Sequence, residues 1–520
     1  MSCSKLFSGD IPELMYDILK FLRNDIITLH SCILVNKLWC RLAIPLLWED
    51  PFSTPNYNYV FIDIYFNNLN DDLRTKLNKY KIKVKLLPSN TLFNYPSFIK
   101  YFKTNKFINI IEYWSQRRNP KILQSGLNGI KLIQTLLIET FIKNAKNLHT
   151  LEIVVGISNP YLDNILEIIL HNTDFFHNFK NLKLHFHAWT DSIRIIEVPY
   201  KNRILQAINS HRNLKKIIFN RDCSSYFKSL FLSNYSNTLN IIILLGVNLD
   251  SINLGKLIEQ SNVLESIHMI KCSINTGLDK QIANLSKPIK LKSLYMEDIL
   301  NINSLQLLFQ KSGDYLENFG YNFDNFCYDH DLTLKQQLFE LVAKYCKNIR
   351  LLDLIEFKEE ITYPIFNLIE NIKQNLKYIN IGLPANVYNR IDVCSSIILQ
   401  NLGKTLPSKL EYLDLCLNIK VRDFEEFLKS IQNTFINKLM IYSREGDNIL
   451  VLLPYLRHYI MKKKIVKYLA VISGESTYTR MDLLFMQDEV DEFELYNIEV
   501  QNYCSNKMVN KLGDFILKID

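Results

Sequence analysis

The chain has 520 residues, of which 48% are hydrophobic and 22% charged, with a formal net charge of +8. This composition is typical of a folded globular protein, and the length predicts either several domains or a repetitive array rather than one core. Only 14 residues are glycine, and neither G-x-G-x-x-G nor G-x-x-x-x-G-K-[ST] occurs, which excludes the two common nucleotide-binding motifs.

The cysteines are scattered, and none of the 10 forms a C-x-x-C pair. This spacing excludes a zinc ribbon or RING domain and indicates buried free thiols in a reducing compartment. The first ten residues are polar and lack an apolar signal core, and the longest apolar run, Ile241–Val247, is too short to span a bilayer. We therefore expect no membrane association and a location in the cytoplasm, the nucleus or both.

Residues 10–48 have the pattern of three short helices. Asp10 can cap the first, Pro12 suits its first turn, and apolar residues then recur at three- and four-residue steps from Ile11 to Leu22. Two further apolar faces follow around Leu29 and Trp39. Because so short a segment cannot bury all three faces internally, they must meet either a partner or the rest of the same chain.

The same segment resembles an F-box. The residues that carry the resemblance are Ile11-Pro12-Glu13-Leu14, Ile18-Leu19 with Leu22, Thr28-Leu29, Val35-Asn36-Lys37-Leu38-Trp39 and Leu42-Ala43. The following run from Ile44 to Asp50 resembles an extension found in large fungal F-box families. The sequence departs from the family pattern at Ile11, Thr28 and Asn36, where Leu, Asp and Cys are usual, and none of these changes removes a bulky apolar contact.

The resemblance implies that residues 1–50 form an F-box that docks on a Skp-type adaptor and, through it, joins a cullin and a RING protein. The implied adaptor contacts are Ile11, Pro12, Leu14, Ile18, Leu19, Leu29, Val35 and Trp39. Trp39 is expected to be the largest anchor, since buried aromatic side chains dominate such interfaces, with a place in the core of the module as the alternative.

Residues 51–146 carry no family motif and are predicted to be a basic linker or helical region, or else the irregular start of the array that follows. The aromatic and β-branched run Tyr59–Phe66 predicts a strand. Residues 127–146 have the apolar spacing of a helix.

Between residues 71 and 121 the chain has 12 lysines or arginines and only 3 acidic residues. Lys81, Lys83 and Lys85 alternate with apolar residues, which predicts a strand with one basic face. Aromatic rings are interleaved with these cations at Tyr80, Tyr95, Tyr101 and Trp114. A nucleic-acid-associated adaptor is therefore an alternative function, although a solvated basic face is the commoner use of such a segment and nucleic acid is not the expected partner.

From residue 147 onward an apolar-x-x-apolar-x-apolar pattern recurs every 25 to 35 residues, as in Leu410/Leu413/Leu415. The first members of its copies are Leu148, Phe179, Leu214, Leu239, Leu264, Leu291, Leu316, Ile349, Leu376, Leu410, Ile436, Val466 and Phe493. The last two members alternate as one face of a strand does, and the residues between copies, such as 252–260 and 424–431, suit helices. A unit of this size cannot bury its own core, so the copies must stack.

This pattern resembles the longer, irregular leucine-rich repeats that follow F-boxes. The implied fold is α/β: a small all-α module followed, over residues 147–520, by a solenoid with a curved parallel sheet inside and helices outside. The family usually has Asn or Cys eight residues after the first apolar position, and only Cys272 and Asn418 fit, so the repeats are expected to be degenerate.

Residues between the inward-facing ones should line the concave face, where solenoids usually bind their partners. The candidate substrate-binding residues are Lys183, His185, Lys216, Tyr295, Tyr378, Tyr412, Asp414, Tyr442 and Tyr468. Tyrosines are concentrated in the later repeats, and exposed tyrosine is a favoured binding residue. The alternative is that these rings form a ladder that packs only on itself.

The sequence shows no signature of catalysis. Histidines crowd at positions 171, 177, 185 and 187 with Asp174 nearby, but their spacing matches no common metal site, and hydrolase motifs are missing. We expect no cofactor, no metal and no enzymatic activity. The predicted function is substrate recognition in an SCF-type (Skp-cullin-F-box) ubiquitin ligase, with an unidentified protein substrate. A scaffold that uses its F-box outside any ligase is a further alternative.

Overall fold

The structure is a computed structural model. It describes residues 12–23, 25–53, 60–67, 75, 77, 91–118, 127–155, 160–186, 201–210, 215–220, 237–249, 252–274, 277–297, 301–322, 332–355, 359–383, 391–444, 447–474 and 480–506. The chain divides into two compact units, one of residues 1–242 with 261–263 and one of residues 243–260 with 264–520. The predicted boundaries at residues 50 and 146 stay predictions.

The described α-helices are short to medium in length. They are α1 Pro12–Lys20, α2 Ile26–Ile33, α3 Lys37–Leu47, α4 Val60–Asn67, α5 Thr104–Arg118, α6 Leu127–Asn144, α7 Leu162–His171, α8 Thr173–His177, α9 Lys201–Ser210, α10 Leu254–Gln260, α11 Gly277–Ile282, α12 Ile302–Ser312, α13 Leu332–Tyr345, α14 Thr362–Ile372, α15 Ile391–Thr405, α16 Val421–Ser430, α17 Ile449–Tyr455, α18 Gln487–Leu495 and α19 Tyr503–Asn506. In the part of the chain that the structure describes, no helix is both long and apolar enough to cross a membrane.

The strands alternate with these helices. They are β1 Tyr101–Lys103, β2 Thr150–Val155, β3 Asn181–Phe186, β4 Lys216–Asn220, β5 Ile241–Leu245, β6 Ser266–Ile270, β7 Leu291–Met296, β8 Asn318–Asn322, β9 Leu351–Ile355, β10 Tyr378–Gly382, β11 Lys409–Leu417, β12 Phe435–Ser443, β13 Val466–Ser473, β14 Met481–Asp482 and β15 Glu499–Val500.

The predicted N-terminal helices are present as α1 to α3, and side-chain caps fix where two of them begin. Asp25 caps α2 by accepting a hydrogen bond from the Thr28 backbone N–H (3.0 Å), and its other oxygen accepts from the Thr28 hydroxyl (2.6 Å). Asn36 caps α3 by accepting from the backbone N–H of Trp39 (2.9 Å). Each cap satisfies an N–H that the helix itself leaves unpaired. Thr28 and Asn36, two departures from the family pattern, thus both take part in caps.

One secondary-structure prediction for residues 51–146 is wrong. The run Tyr59–Phe66, predicted as a strand, is occupied by helix α4, whose Ile62, Tyr65 and Phe66 are buried. These positions recur at helical spacing, so burial on one helix face outweighed the strand preference of aromatic and β-branched residues. The helix predicted over residues 127–146 is confirmed as α6, Leu127–Asn144.

Strand–helix alternation begins earlier than residue 147. Strand β1 pairs in parallel with β2, with Phe102 opposite Leu151, and the three-stranded sheet of the first unit has the order β1-β2-β3. The hydroxyl of Thr104 accepts a hydrogen bond from the backbone N–H of Val154 (3.0 Å). Ile99, Phe102 and Thr104 have the same spacing as a repeat triplet, but the hydrophilic third member concealed it. The alternative of an irregular start therefore fits residues 101–118.

The larger sheet has twelve strands, and from β5 to β14 its neighbouring strands are also consecutive along the chain. The pairings of β6 to β13 are parallel. Among the described pairings of this sheet, that of β13 with β14 is antiparallel. Parallel neighbours need crossover connections, which the helices between the strands supply. The predicted mixed α/β class with a mostly parallel sheet is confirmed.

The repeat triplets predicted the buried side of the sheet in most copies. Leu410, Leu413 and Leu415 of β11 are fully buried, and so are their counterparts in β9 and β12. The last triplet is wrong, because Phe493 lies in α18 and the strand that follows is Glu499–Val500.

Candidate functional site

Helices α1 to α3 close around a small apolar core of their own. Leu19, Leu29, Cys32, Ala43 and Leu46 form this core, and Trp39, with Tyr16, Leu22, Ile33, Leu42 and Leu47, packs against it half-buried. The core takes one side of each helix, as the helical spacing of these residues requires.

Large apolar side chains on the other sides of α1 and α2 are exposed. On α1, Leu14 and Ile18 are 39% and 43% exposed, and Phe21, just past its end, is 89% exposed. Ile27 and Leu34, seven residues apart on and after α2, are 79% and 78% exposed. With Val35, these residues are called the exposed helical patch below. Contiguous exposed apolar patches are typical of interaction surfaces, so this set is the candidate interaction surface.

The eight predicted adaptor contacts divide between this patch and the core. Leu14, Ile18 and Val35 belong to the exposed helical patch, and Pro12 and Trp39 are half-buried. Leu19 and Leu29, also predicted as adaptor contacts, are fully buried between the helices in this structure, and their contact with an adaptor stays a prediction. Ile11 lies outside the described residues.

Sequence reasoning missed Phe21 and Ile27. The signal was present, since Leu14, Ile18 and Phe21 are spaced four and three residues apart and so share one helix face. The predicted contacts were taken from the F-box resemblance, which does not include Phe21 and Ile27.

Ion pairs and backbone hydrogen bonds join the helical module to the first strand. The carboxylate of Glu49, whose side chain is 6% exposed, lies 2.5 Å from Arg23 Nε and 3.1 Å from Lys100 Nζ. The backbone carbonyl of Glu49 accepts from the N–H groups of Lys100 (2.9 Å) and Tyr101 (3.1 Å). The α3 end of the helical module is thereby fixed next to β1.

The described part of the basic segment gives several of its residues structural roles. Lys100 and Lys103 are paired with Glu49 and Asp50. Trp114 is fully buried, and the ring of Tyr95 packs on Trp48 with centroids 4.3 Å apart, so neither ring stands free for a base. Tyr101 lies beside His149. Tyr80 and the predicted strand with Lys81, Lys83 and Lys85 lie outside the described residues, and nucleic-acid binding stays a prediction.

In the second unit, alternate residues of β6 to β13 form one face of the sheet. Their side chains point away from the leucine core, and this set is called the polar sheet face: Ser266, His268, Ser293, Tyr295, Asn318, Asp353, Tyr378, Asn380, Tyr412, Asp414, Met440, Tyr442, Tyr468 and Ala470. Six of the nine predicted substrate-binding residues belong to it, namely Tyr295, Tyr378, Tyr412, Asp414, Tyr442 and Tyr468, and its concave shape stays a prediction.

Hydrogen bonds run between neighbouring strands of the polar sheet face. Ser293 Oγ lies 2.8 Å from His268 Nδ1 and accepts from Asn318 Nδ2 at 2.8 Å. Asn380 Nδ2 donates to Asp353 Oδ1 at 2.7 Å. Most of these groups are buried, so each bond meets the need of a buried polar atom for a partner.

In the C-terminal strands of the polar sheet face, the carboxylate of Asp414 accepts hydrogen bonds from two tyrosines. Asp414 is fully buried, and its two oxygens accept from the hydroxyls of Tyr412 (3.1 Å) and Tyr503 (2.9 Å). Tyr503 lies 89 residues further along the chain, in the short helix α19. Its ring meets that of Tyr442 edge to face, with centroids 5.6 Å apart.

The predicted substrate-binding residues are less exposed than expected. Five of them, Lys216, Tyr295, Tyr412, Asp414 and Tyr442, are buried, each at most 8% exposed. Tyr503 covers Tyr412, Asp414 and Tyr442, and burial raises the pKa of Tyr295 well above its ordinary value. Tyr378, Tyr468 and Lys183 are half-buried, and His185 lies in β3 with its side chain outside the described residues. Substrate binding itself stays a prediction.

The register shows which tyrosines meet. Tyr378 lies directly opposite Tyr412, and Lys438 stands between Tyr412 and Tyr468 in the same row. Tyr442 lies further along, in register with Cys416 and Ile472. The ladder alternative thus describes Tyr378 and Tyr412, whereas Tyr442 contacts the C-terminal segment.

The two described histidines of the crowded region have local partners. Nδ1 of His171 lies 2.7 Å from the Glu167 carbonyl, and Nε2 of His177 lies 2.8 Å from the Ser210 carbonyl. Within the described ranges, no group of three or more His, Cys, Asp or Glu side chains is arranged to hold a metal ion.

Comparison with known proteins adds no relative. No protein-family model matches the sequence, and no curated protein matches it significantly.

Proposed function

We propose that the protein is the substrate-recognition subunit of an SCF-type ubiquitin ligase. Helices α1 to α3 act as an F-box that docks on a Skp-type adaptor, which links the protein to a cullin and a RING protein. The strand–helix repeats hold a protein substrate. The chain contributes no catalytic group and no cofactor, and it acts in the cytoplasm, the nucleus or both.

The exposed helical patch is the observation that carries this proposal. The helical module has already filled its core with Leu19, Leu29 and Leu46, so the patch is surplus to its folding. Covering large apolar side chains such as Phe21 and Leu34 releases roughly 1.5–3 kcal/mol for each, which favours a protein partner. The F-box-like sequence lies in the same helices, and an adaptor is the partner that such a sequence implies.

Catalysis by such a receptor is positional. The adaptor side brings a charged conjugating enzyme, and the repeats bring substrate lysines, so tethering raises their effective concentration. Rigid attachment favours this geometry, and the contacts of Glu49 with Arg23 and Lys100 supply it between the docking helices and the first strand.

The test is co-precipitation of full-length protein with the cognate Skp-type adaptor. We expect Leu34→Asp, and separately Ile18→Asp, to weaken binding at least tenfold, because each places a charge on the exposed helical patch. Leu495→Asp is the matched control, since Leu495 is 81% exposed and Leu34 is 78% exposed. Adaptor binding that survives Ile18→Asp and Leu34→Asp together would show that the docking assignment is wrong.

The scaffold alternative shares the adaptor contact and differs only afterwards. Cullin is expected to co-precipitate with the wild type and to be lost with the same two variants. Adaptor binding without cullin would favour a scaffold that acts outside any ligase.

A further inference from the structure

The C-terminal segment folds back onto the polar sheet face after its last strand. The N–H of Gln501 donates to the Leu469 carbonyl of β13 (2.8 Å), and the side chain of Tyr503 then reaches Asp414 on β11. Tyr503 is 3% exposed although Cys504 beside it is exposed. Of the described side chains of this helix, that of Tyr503 is the one buried on the face.

The surroundings of Tyr503 suit both the apolar ring and the polar hydroxyl of its side chain. The ring packs with Met440, Tyr442, Ala470 and Ile472, which are all buried, and the hydroxyl meets the carboxylate of Asp414. An apolar side chain on an apolar surface would cover this area without the cost of burying a carboxylate. The combination of Asp414 with an aromatic and aliphatic wall is thus selective for a ring that carries a hydroxyl donor.

A guanidinium at the edge of the same cluster has donors to spare. Arg444 Nε contacts Cys416 Sγ at 3.0 Å, and the guanidinium lies over the Tyr442 ring, 5.7 Å from its centroid. Nη1 of Arg444 is buried and forms no hydrogen bond in the described structure.

We infer that this part of the polar sheet face is a binding site for a tyrosine-bearing peptide segment, occupied in this chain by Tyr503. A partner segment binds by replacing Tyr503 with its own tyrosine. The identification of that partner as the ligase substrate rests on the function proposed above, whereas the peptide site itself does not. The site takes unmodified tyrosine, because a tyrosine phosphate would put about two negative charges beside buried Asp414.

Fluorescence anisotropy with full-length protein tests the inference. The probe is a labelled decapeptide with the sequence of residues 497–506, carrying Ser in place of Cys504. Because a tethered segment competes at high effective concentration, we expect Tyr503→Ala protein to bind the probe at least tenfold more tightly than the wild type. Probes with Phe or phosphotyrosine in place of their single tyrosine should bind at least tenfold more weakly. Tyr496→Ala, at a partly exposed residue of the same region, should behave as the wild type.

Tyr503→Phe protein is the control for misfolding of Tyr503→Ala, since it keeps the ring and loses only the hydrogen bond to Asp414. It should bind the probe more tightly than the wild type but less tightly than Tyr503→Ala. Equal probe binding by the wild type and both variants, or equal binding of the Tyr and Phe probes, overturns the inference. Adaptor binding measured on the same samples separates the two proposals. Peptide binding as expected without adaptor binding contradicts only the ligase function. Adaptor binding without the expected peptide binding contradicts only the peptide site.

Discussion

Leu29 is completely buried between α1, α2 and α3, and its neighbour Ile27 is 79% exposed. Replacing Leu29 by Ala removes packed atoms and leaves a cavity, which costs roughly 2–5 kcal/mol. We expect Leu29→Ala to lower the free energy of unfolding of the helical module by this amount. Ile27→Ala should change it by less than about 0.5 kcal/mol while weakening adaptor binding. Urea denaturation and adaptor co-precipitation of both variants measure the difference, and an unchanged stability of Leu29→Ala would contradict the core assignment.

Buried thiols should make the free energy of unfolding fall as the pH rises above about 9. Burial raises the pKa of Cys346 from its ordinary value of 9.0 to about 12. Above pH 9 the unfolded chain therefore loses a proton that the folded chain keeps, so the free energy of unfolding falls as pH rises, by up to about 1.4 kcal/mol per pH unit for each such thiol. We expect urea midpoints to fall less between pH 8 and pH 10 in Cys346→Ala than in the wild type. Cys504→Ala, at an exposed thiol, should keep the wild-type pH dependence.

Residue types predicted the apolar side of the sheet better than its polar side. The inward position of Leu413 or Ile441 follows from the triplet spacing alone, because alternate residues of a strand share a face. The burial of Asp414 and Tyr412 did not follow, since it depends on Tyr503, which is remote in sequence. The burial of a carboxylate can be predicted only when its hydrogen-bond donors are known. Donors as distant in sequence as Tyr503 cannot be paired with Asp414 from one sequence.

Close approach of successive helices depends on particular glycines. A Cβ placed on Gly313, at the end of α12, would clash with the backbone carbonyl of Tyr345 at the end of α13, and a backbone atom cannot rotate away. We expect Gly313→Ala to lower the free energy of unfolding by about 1–3 kcal/mol through overpacking. Gly382→Ala is the control, because its Cβ would lie 3.7 Å from Cys416 Cβ, an ordinary contact. Thermal denaturation should separate the two variants, and equal melting temperatures would contradict the packing argument.

Elements were predictable where one periodicity dominated. Helix α6 has apolar residues on one face over several turns, whereas α4 is so rich in aromatic and β-branched residues that local preference favoured a strand. Strand β1 was missed because Thr104 takes the third apolar position, where its hydroxyl bonds the Val154 N–H of the adjacent strand. Tertiary contacts decided both cases, and they outweigh propensities that differ by less than about 1 kcal/mol per residue.

At the scale of the whole chain, the Glu49 side chain joins helices α1 to α3 to strand β1 of the first unit, and its ion-pair partner Lys100 lies 51 residues away. Because the Glu49 side chain is almost fully buried, Glu49→Gln leaves the charges of Arg23 and Lys100 without their carboxylate, at a cost of roughly 1–3 kcal/mol. We expect hydrogen exchange in α1 to α3 to accelerate in this variant and exchange in β11 to β13 to stay unchanged. Asp17→Asn, which removes an exposed ion pair with Lys20, should alter neither region. Under the proposed function, the orientation of α1 to α3 on β1 positions the substrate, so Glu49→Gln should reduce substrate ubiquitination more than it reduces adaptor binding. Equal losses would show that this orientation does not matter for ubiquitin transfer.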